Sequence, residues 1–121
     1  MLFRSVGDDV WHAHCVKLDD DGAYLFAKTR TGIAHCPCSN MRLASGILPV
    51  RRFLDMGIPI GLGVDGSASN DAGHMLNEAR QAMLLARVSR GIAEPQTKNG
   101  QTFFGCDLGP AEMTQIGRAH V

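Results

Sequence analysis

The amino-acid sequence predicts an α/β fold in which short parallel strands alternate with helices. Apolar runs over 10–16, 32–36 and 58–64 have the length of strands, and a helix signal follows each of them. Strands that alternate with helices are joined by crossovers and pair in parallel. Each run carries or leads into a side chain capable of chemistry, namely His14, His35 and Asp65. Because the carboxyl ends of parallel strands share one edge of a sheet, we expect these side chains to converge.

The first unit is a strand over 10–16 followed by a helix. Asp19, Asp20 and Asp21 offer side-chain acceptors and negative charge to the start of this helix. Residues 24–27 supply its apolar side, and we expect it to end by 31–32.

The second unit begins with a strand over 32–36, which Pro37 closes. We expect a loop over 38–46 and then a helix over 49–56. Pro49 suits the first turn of that helix, and Gly57 suits its C-terminal stop.

The third unit consists of a strand over 58–64, a turn that starts at Asp65, and the longest helix, over 71–90. We expect three residues in the core: Phe53, Met75 and Met83. We expect three others to cap the last helix: Ser67, Ser69 and Asn70. His74 and Glu78 lie one helical turn apart and are predicted on a solvated face. No regular structure is predicted over 94–115.

Composition excludes some classes of function. The 121 residues include 12 basic and 12 acidic side chains, so the formal net charge of 0 gives no argument for a nucleic-acid or anionic-membrane partner. No apolar run approaches the roughly 20 residues that a membrane span needs, and the start lacks a signal-peptide pattern. The 4 cysteines do not form the disulfide framework of a small secreted domain. We therefore expect reduced thiols in a cytoplasmic protein.

Two local patterns allow more than one interpretation. His12 and His14 would project from one face of a strand, as a two-histidine metal site requires, or one packs internally while the other binds a ligand. We favour the second interpretation, with His12 beside Trp11 as the internal residue. Asp65 either only caps the next turn or meets a metal, a proton or several donors, because a lone buried carboxylate is costly.

Three motifs occur in order along the chain. They are AHCVKL at 13–18, AHCPCSNMRLASG at 34–46 and GLGVDGSASND at 61–71. Together they resemble the amidohydrolase superfamily, in particular its guanine and 8-oxoguanine deaminases and its triazine (hydroxyatrazine-type) amidohydrolases. The resemblance extends over 7–88 and implies a metal-dependent (β/α)8 TIM barrel, of which this chain supplies strands six to eight with their helices.

The resemblance also implies roles for individual residues. His14 matches the strand-six histidine that assists attack by water. Asp65 matches the strand-eight aspartate, which contacts the metal and takes a proton from the attacking water. His35, Ser39 and Asn40 match the strand-seven motif and are implied to bind substrate. The implied cofactor is a divalent metal, zinc in the first place and iron as an alternative.

The function implied by the resemblance is hydrolytic deamination of a purine-like ring of the 8-oxoguanine or guanine type. One alternative is the removal of an alkylamine from a triazine, and another is a small non-enzymatic α/β binding domain. The expected partner is a small heterocyclic molecule, without nucleic acid or membrane. The full-length enzyme is expected to be a homo-oligomer.

Several residues that the family needs are expected outside this sequence. The family takes two metal-binding histidines from an H-x-H motif on strand one, and a third histidine and a glutamate from H-x-x-E on strand five. Neither motif occurs here in the required order, so we expect the chain alone to be inactive. The ends, 1–5 and 116–121, resemble translated sequencing-adapter DNA. We therefore expect them to be tails on either side of a partial barrel domain over 6–93 and an irregular segment over 94–115.

Overall fold

The computed structural model describes residues 5–93, 96–98 and 101–103 of the chain. Its centre is a three-stranded parallel sheet in the order β1-β2-β3. These strands are β1 (Trp11–Ala13), β2 (Gly32–His35) and β3 (Ile60–Leu62). The predicted α/β class and the predicted parallel order of the strands are therefore confirmed.

The register of the sheet aligns the carboxyl ends of the three strands. Ala34 of β2 lies beside Ala13 of β1 on one side and beside Gly61 of β3 on the other. The segments that follow β1, β2 and β3 consequently leave the sheet at the same edge. This is the edge at which the sequence predicts the functional side chains.

In the described part of the chain, four helices follow the strands of this sheet: α1 (Asp20–Thr29), α2 (Pro37–Arg42), α3 (Val50–Asp55) and α4 (Met75–Ala93). The predicted start of α1 is confirmed, because the Asp19 carboxylate accepts a hydrogen bond of 2.8 Å from the amide of Gly22. At the other end, Arg30 adopts a left-handed conformation with φ 59° and bonds back to the carbonyls of Phe26 and Ala27.

The short helix α2 corrects the predicted loop over 38–46. Pro37 occupies the first turn, where its missing N–H leaves no helical bond unmade. The Cys36 side chain makes no capping bond, and the amide of Cys38 instead donates to the carboxylate of Glu78 at 3.1 Å. The helix thus depends on a residue 40 positions away, which local sequence cannot reveal.

The core lies between the sheet and the helices that cover it. Its buried members are Ala23, Phe26, Ile33, Leu48, Val50, Phe53, Ile58 and Ile60. The core positions predicted for Phe53 and Met83 are confirmed, since Phe53 is fully buried and Met83 packs against the cluster. The prediction for Met75 is wrong, because this first residue of α4 is 48% exposed.

Two short strands occur where the sequence predicts an irregular segment. They are β4 (Gln96–Lys98) and β5 (Gln101–Phe103), and they pair in antiparallel fashion. Of the predicted terminal segments, 116–121 and all but Ser5 of 1–5 lie outside the described residues. In the part of the chain that is described, none of the helices is long and apolar enough to span a bilayer.

Candidate active site

His14 and Asp65 meet at the carboxyl edge of the sheet. His14 follows the last residue of β1 directly, and Asp65 lies three residues beyond β3. The distance between His14 Nε2 and Asp65 Oδ2 is 3.6 Å, and both side chains are about one-third exposed. Both residues adopt left-handed backbone conformations, with φ 66° at His14 and φ 63° at Asp65. Such values are uncommon outside glycine and cluster at functional sites.

Three donors surround the Asp65 carboxylate. Ser39 Oγ donates to Oδ2 at 2.6 Å, and Ser69 Oγ donates to the same oxygen at 3.0 Å. The amide of Gly66 donates to Oδ1 at 2.8 Å. These bonds, first of all that from Ser39, hold the pKa of Asp65 below its usual range. Of the interpretations of Asp65, the structure therefore shows the one in which several donors surround the carboxylate. The low pKa keeps this carboxylate ionised.

The ring of His14 is oriented by Asn40. His14 Nδ1 lies 2.8 Å from Asn40 Oδ1, and an amide oxygen can only accept, so Nδ1 carries the proton. In the neutral ring the lone pair is then on Nε2, the nitrogen that faces Asp65.

Ser39 and Asn40, both predicted to bind substrate, are placed in contact with the other two site residues. Their side chains are almost fully buried, at 0% and 1% exposure. Ser39 bonds to Asp65 and Asn40 bonds to His14, so α2 holds both candidate side chains in place. The Asn40 Nδ2 atom is buried without a hydrogen-bond partner in the described part of the chain.

His35, also predicted to bind substrate, ends β2 and is buried to 1% exposure. Burial, followed by the electrostatic effect of the neighbouring His14, lowers its pKa to about 4, so the imidazole of His35 is neutral at neutral pH. Its Nδ1 atom is buried and has no hydrogen-bond partner among the described residues.

His12 does not share the environment of His14. Its Nε2 donates to the carbonyl of Ser5 at 2.6 Å, and its ring lies 5.2 Å from that of Phe26, centroid to centroid. The expectation that His12 packs and bonds within the chain is confirmed, but the residue is only partly buried, as is His14. Because His14 turns into the left-handed region after β1 ends, the two rings do not follow the alternation of a regular strand.

Glu78 and Asn70 lie in positions that their local sequence does not indicate. Glu78 was predicted on a solvated face, but it is fully buried, which makes that prediction wrong. The prediction that Asn70 caps the last helix is also wrong, because α4 begins at Met75 and the Oδ1 of Asn70 accepts from the amide of Ala72. Its Nδ2 bonds both to the carbonyl of Val64 at 2.8 Å and to Glu78 Oε1 at 2.6 Å. Helical spacing alone could not show that α2 covers this face of α4.

The residues present fit part of a metal site. A carboxylate and an imidazole, as at Asp65 and His14, are donors that zinc accepts. Among the described residues, no group of three or more His, Cys, Asp or Glu side chains is arranged to hold a metal. The nearby thiols are poor ligands, since burial above all raises the pKa of Cys36 to about 11 and that of Cys38 to about 12.

Comparison with known proteins gives a consistent result. The sequence profile of the amidohydrolase family matches residues 3–117. The chain is 45% identical over 111 residues to an isoxanthopterin deaminase from an unknown prokaryotic organism, covering 92% of this chain and 23% of that protein. It is 51% identical over 86 residues to an 8-oxoguanine deaminase from Pseudomonas aeruginosa, covering 71% of this chain and 19% of that protein.

A solved structure shares the arrangement of this chain. An atrazine chlorohydrolase from Arthrobacter aurescens, complexed with zinc, superposes with a TM-score of 0.65 at 40% sequence identity. The match covers 69% of this chain and 18% of that one. The chain therefore spans about a fifth of the length of the relatives and structures that it matches.

Proposed function

The chain belongs to the amidohydrolase family, and we propose that it forms part of a metal-dependent hydrolase that deaminates a small nitrogen heterocycle. The proposed substrate is a purine-like ring of the 8-oxoguanine or guanine type. Family membership implies a TIM-barrel-type fold, and we assign β1, β2 and β3 to barrel strands six, seven and eight. The two outer strands of the sheet, β1 and β3, would then pair with further barrel strands.

The observation that carries this proposal is the pair formed by His14 and Asp65. Two side chains from different strand ends face each other at 3.6 Å, and each is held by its own buried partner in α2. A carboxylate that is merely a turn cap would not need Ser39, a residue 26 positions away, as a donor.

In the proposed reaction, Asp65 accepts a proton from the water that attacks the ring carbon bearing the amino group. His14 orients that water through Nε2, because Asn40 keeps the proton of the ring on Nδ1. Asp65 then returns this proton to the departing amino group, while the second proton of the water ends on the adjacent ring nitrogen as the C=N bond becomes a single bond. One water and the amino-substituted ring thus give a ring carbonyl and ammonia. Asp65 would contribute one ligand to a divalent metal, zinc in the first place, which when bound lowers the pKa of water toward neutrality.

His35 and Asn40 are proposed to contribute to substrate binding. Each has a buried polar atom without a partner in the described part of the chain, so each retains an unused capacity to form a hydrogen bond. The neutral imidazole of His35 also suits recognition of an uncharged ring.

The test is Asp65→Asn in the full-length enzyme, rebuilt from its complete gene. The amide keeps the size of the side chain but cannot accept the proton, so we expect kcat to fall about a hundredfold or more. Asp55→Asn is the matched control, because Asp55 pairs with Arg51 on the surface of α3. Near-normal ammonia release by the Asp65 variant would remove this residue from the mechanism.

A second candidate is hydrolysis of a substituted triazine. The 40% identity to the zinc-bound atrazine chlorohydrolase favours it. Parallel assays of the full-length enzyme with guanine, 8-oxoguanine and N-alkylaminotriazines separate the candidates, since ammonia and alkylamine are distinguishable products.

A further inference from the structure

Glu78 is a fully buried carboxylate near the start of α4. Its Oε2 accepts from the amide of Cys38 at 3.1 Å, and its Oε1 accepts from Asn70 Nδ2 at 2.6 Å. A buried carboxylate is stable only when such donors replace water, and here both oxygens have one. No role in the proposed reaction explains this group.

The two partners of Glu78 belong to the two segments that build the site. Cys38 lies in the first turn of α2, next to Ser39 and Asn40. Asn70 lies in the loop after β3, where it also bonds to the carbonyl of Val64, the residue before Asp65. Glu78 therefore connects the segment that carries Asp65 to the segment that carries its strongest donor.

We propose that Glu78 is a positioning residue, which fixes the loop of Asp65 against α2 and so keeps Asp65 beside Ser39 and His14. This inference rests on the proposed role of Asp65. Among the described residues, the hydrogen bonds of Glu78 go to Cys38 and Asn70 and not to His14 or Asp65, so any effect on the site passes through these two partners.

The side chain at position 78 must offer two acceptor oxygens. The amide of Cys38 can only donate, and Asn70 Nδ2 donates while Asn70 Oδ1 accepts from the amide of Ala72 at 3.2 Å. A glutamine at position 78 would keep the volume, but its NH2 group would face one of these donors. When two buried donors face each other, neither forms a hydrogen bond. The substitution therefore weakens the connection between the Asp65 loop and α2 without creating a cavity.

The experiment is Glu78→Gln in the full-length enzyme, with Asp71→Asn as the matched control. Asp71 pairs with Arg42 at 3.2 Å and so joins the same two segments, but at an exposed site where an ion pair contributes little. We expect Glu78→Gln to lower kcat about tenfold or more while KM changes less than about threefold, since a displaced reacting group costs rate. We expect Asp71→Asn to retain both constants.

A second measurement reports the position of the loop without activity. In hydrogen–deuterium exchange, peptides covering 64–72 and 36–42 should exchange faster in Glu78→Gln than in the parent, whereas a peptide from α1 should not. Should Glu78→Gln fold poorly, Asn70→Ala is the second variant. It removes the bond to Glu78 together with the bonds to Val64 and Ala72 but leaves the bond between Glu78 and Cys38, and it is expected to lower kcat while KM changes little.

The outcomes separate this inference from the proposed function. If Asp65→Asn is inactive while a folded Glu78→Gln keeps the parent kcat and loop exchange, Glu78 has no positioning role and the function stands. A loss of activity that merely follows the folded fraction also overturns the inference. If Asp65→Asn is active, the proposed function is wrong. The hydrogen–deuterium exchange of Glu78→Gln then decides alone whether Glu78 holds the loop in place.

Discussion

Lowering the pH from 7 to 4 should destabilise the fold through one buried histidine. His35 has a pKa of about 4 in the folded protein, against an ordinary value of 6.5. Between these two values the unfolded chain binds more protons than the folded one, so the free energy of unfolding falls as the pH falls. The loss begins below about pH 6.5 and levels off below about pH 4.

The expected magnitude follows from those two pKa values. His35 has a pKa of about 4 in the folded state and 6.5 in the unfolded state. This difference should lower the free energy of unfolding by about 2 kcal/mol at pH 5 and by about 3 kcal/mol at pH 4. Burial of the ring contributes most to the low pKa of His35, and the electrostatic effect of His14 contributes less.

Urea denaturation of the full-length protein measures this loss. The comparison is between the parent and His35→Asn, which keeps a small polar group in place of Nδ1 but does not titrate. Metal should be removed first, because metal binding is itself pH-dependent. The difference between the two proteins should shrink by about 3 kcal/mol from pH 7 to pH 4. His74→Asn, at an exposed histidine, is the matched control. Parallel pH dependences of the parent and His35→Asn would refute the reasoning.

Two further predictions concern the site and the isolated chain. Ser39→Ala removes the donor that contributes most to the low pKa of Asp65, so this pKa should rise. The acid limb of the pH profile of kcat/KM for the full-length enzyme should then move to higher pH. Ser67→Ala, at an exposed serine, is the control, and an acid limb that does not move in Ser39→Ala contradicts the assignment of Asp65 as the base. The isolated chain with zinc should release no ammonia from guanine, 8-oxoguanine or a hydroxytriazine above a metal-only control, and should elute as broad oligomers. A sharp monomer with a cooperative thermal transition would favour the small binding domain instead.

The sequence carries enough information to predict the strands and the residues at their ends. The strand–helix alternation predicts the parallel sheet, and the position of Asp65 after an apolar strand predicts its place at the carboxyl edge. These features depend on local periodicity and on a general rule of parallel sheets. They need no knowledge of which helices touch.

The features that sequence could not predict all depend on contacts between distant segments. Helix α2 is short, and its free amide is satisfied by Glu78. Glu78 itself has the spacing of a solvated position, and only the packing of α2 against α4 buries it. The same limit explains Met75, whose helical spacing suggested the core although it lies in the exposed first turn of α4.

The left-handed backbone at His14 and Asp65 has a consequence for how this protein can change. Glycine adopts φ values near 60° more easily than any other residue, so it would relax the backbone at both positions. Glycine would also remove the bonds from Asn40 to His14 and from Ser39 to Asp65, and would leave the buried side chains of Asn40 and Ser39 without those partners. Backbone strain and side-chain hydrogen bonds therefore have opposite effects on stability at these two positions, and the bonds that hold the proposed reacting groups are the ones that offset the strain.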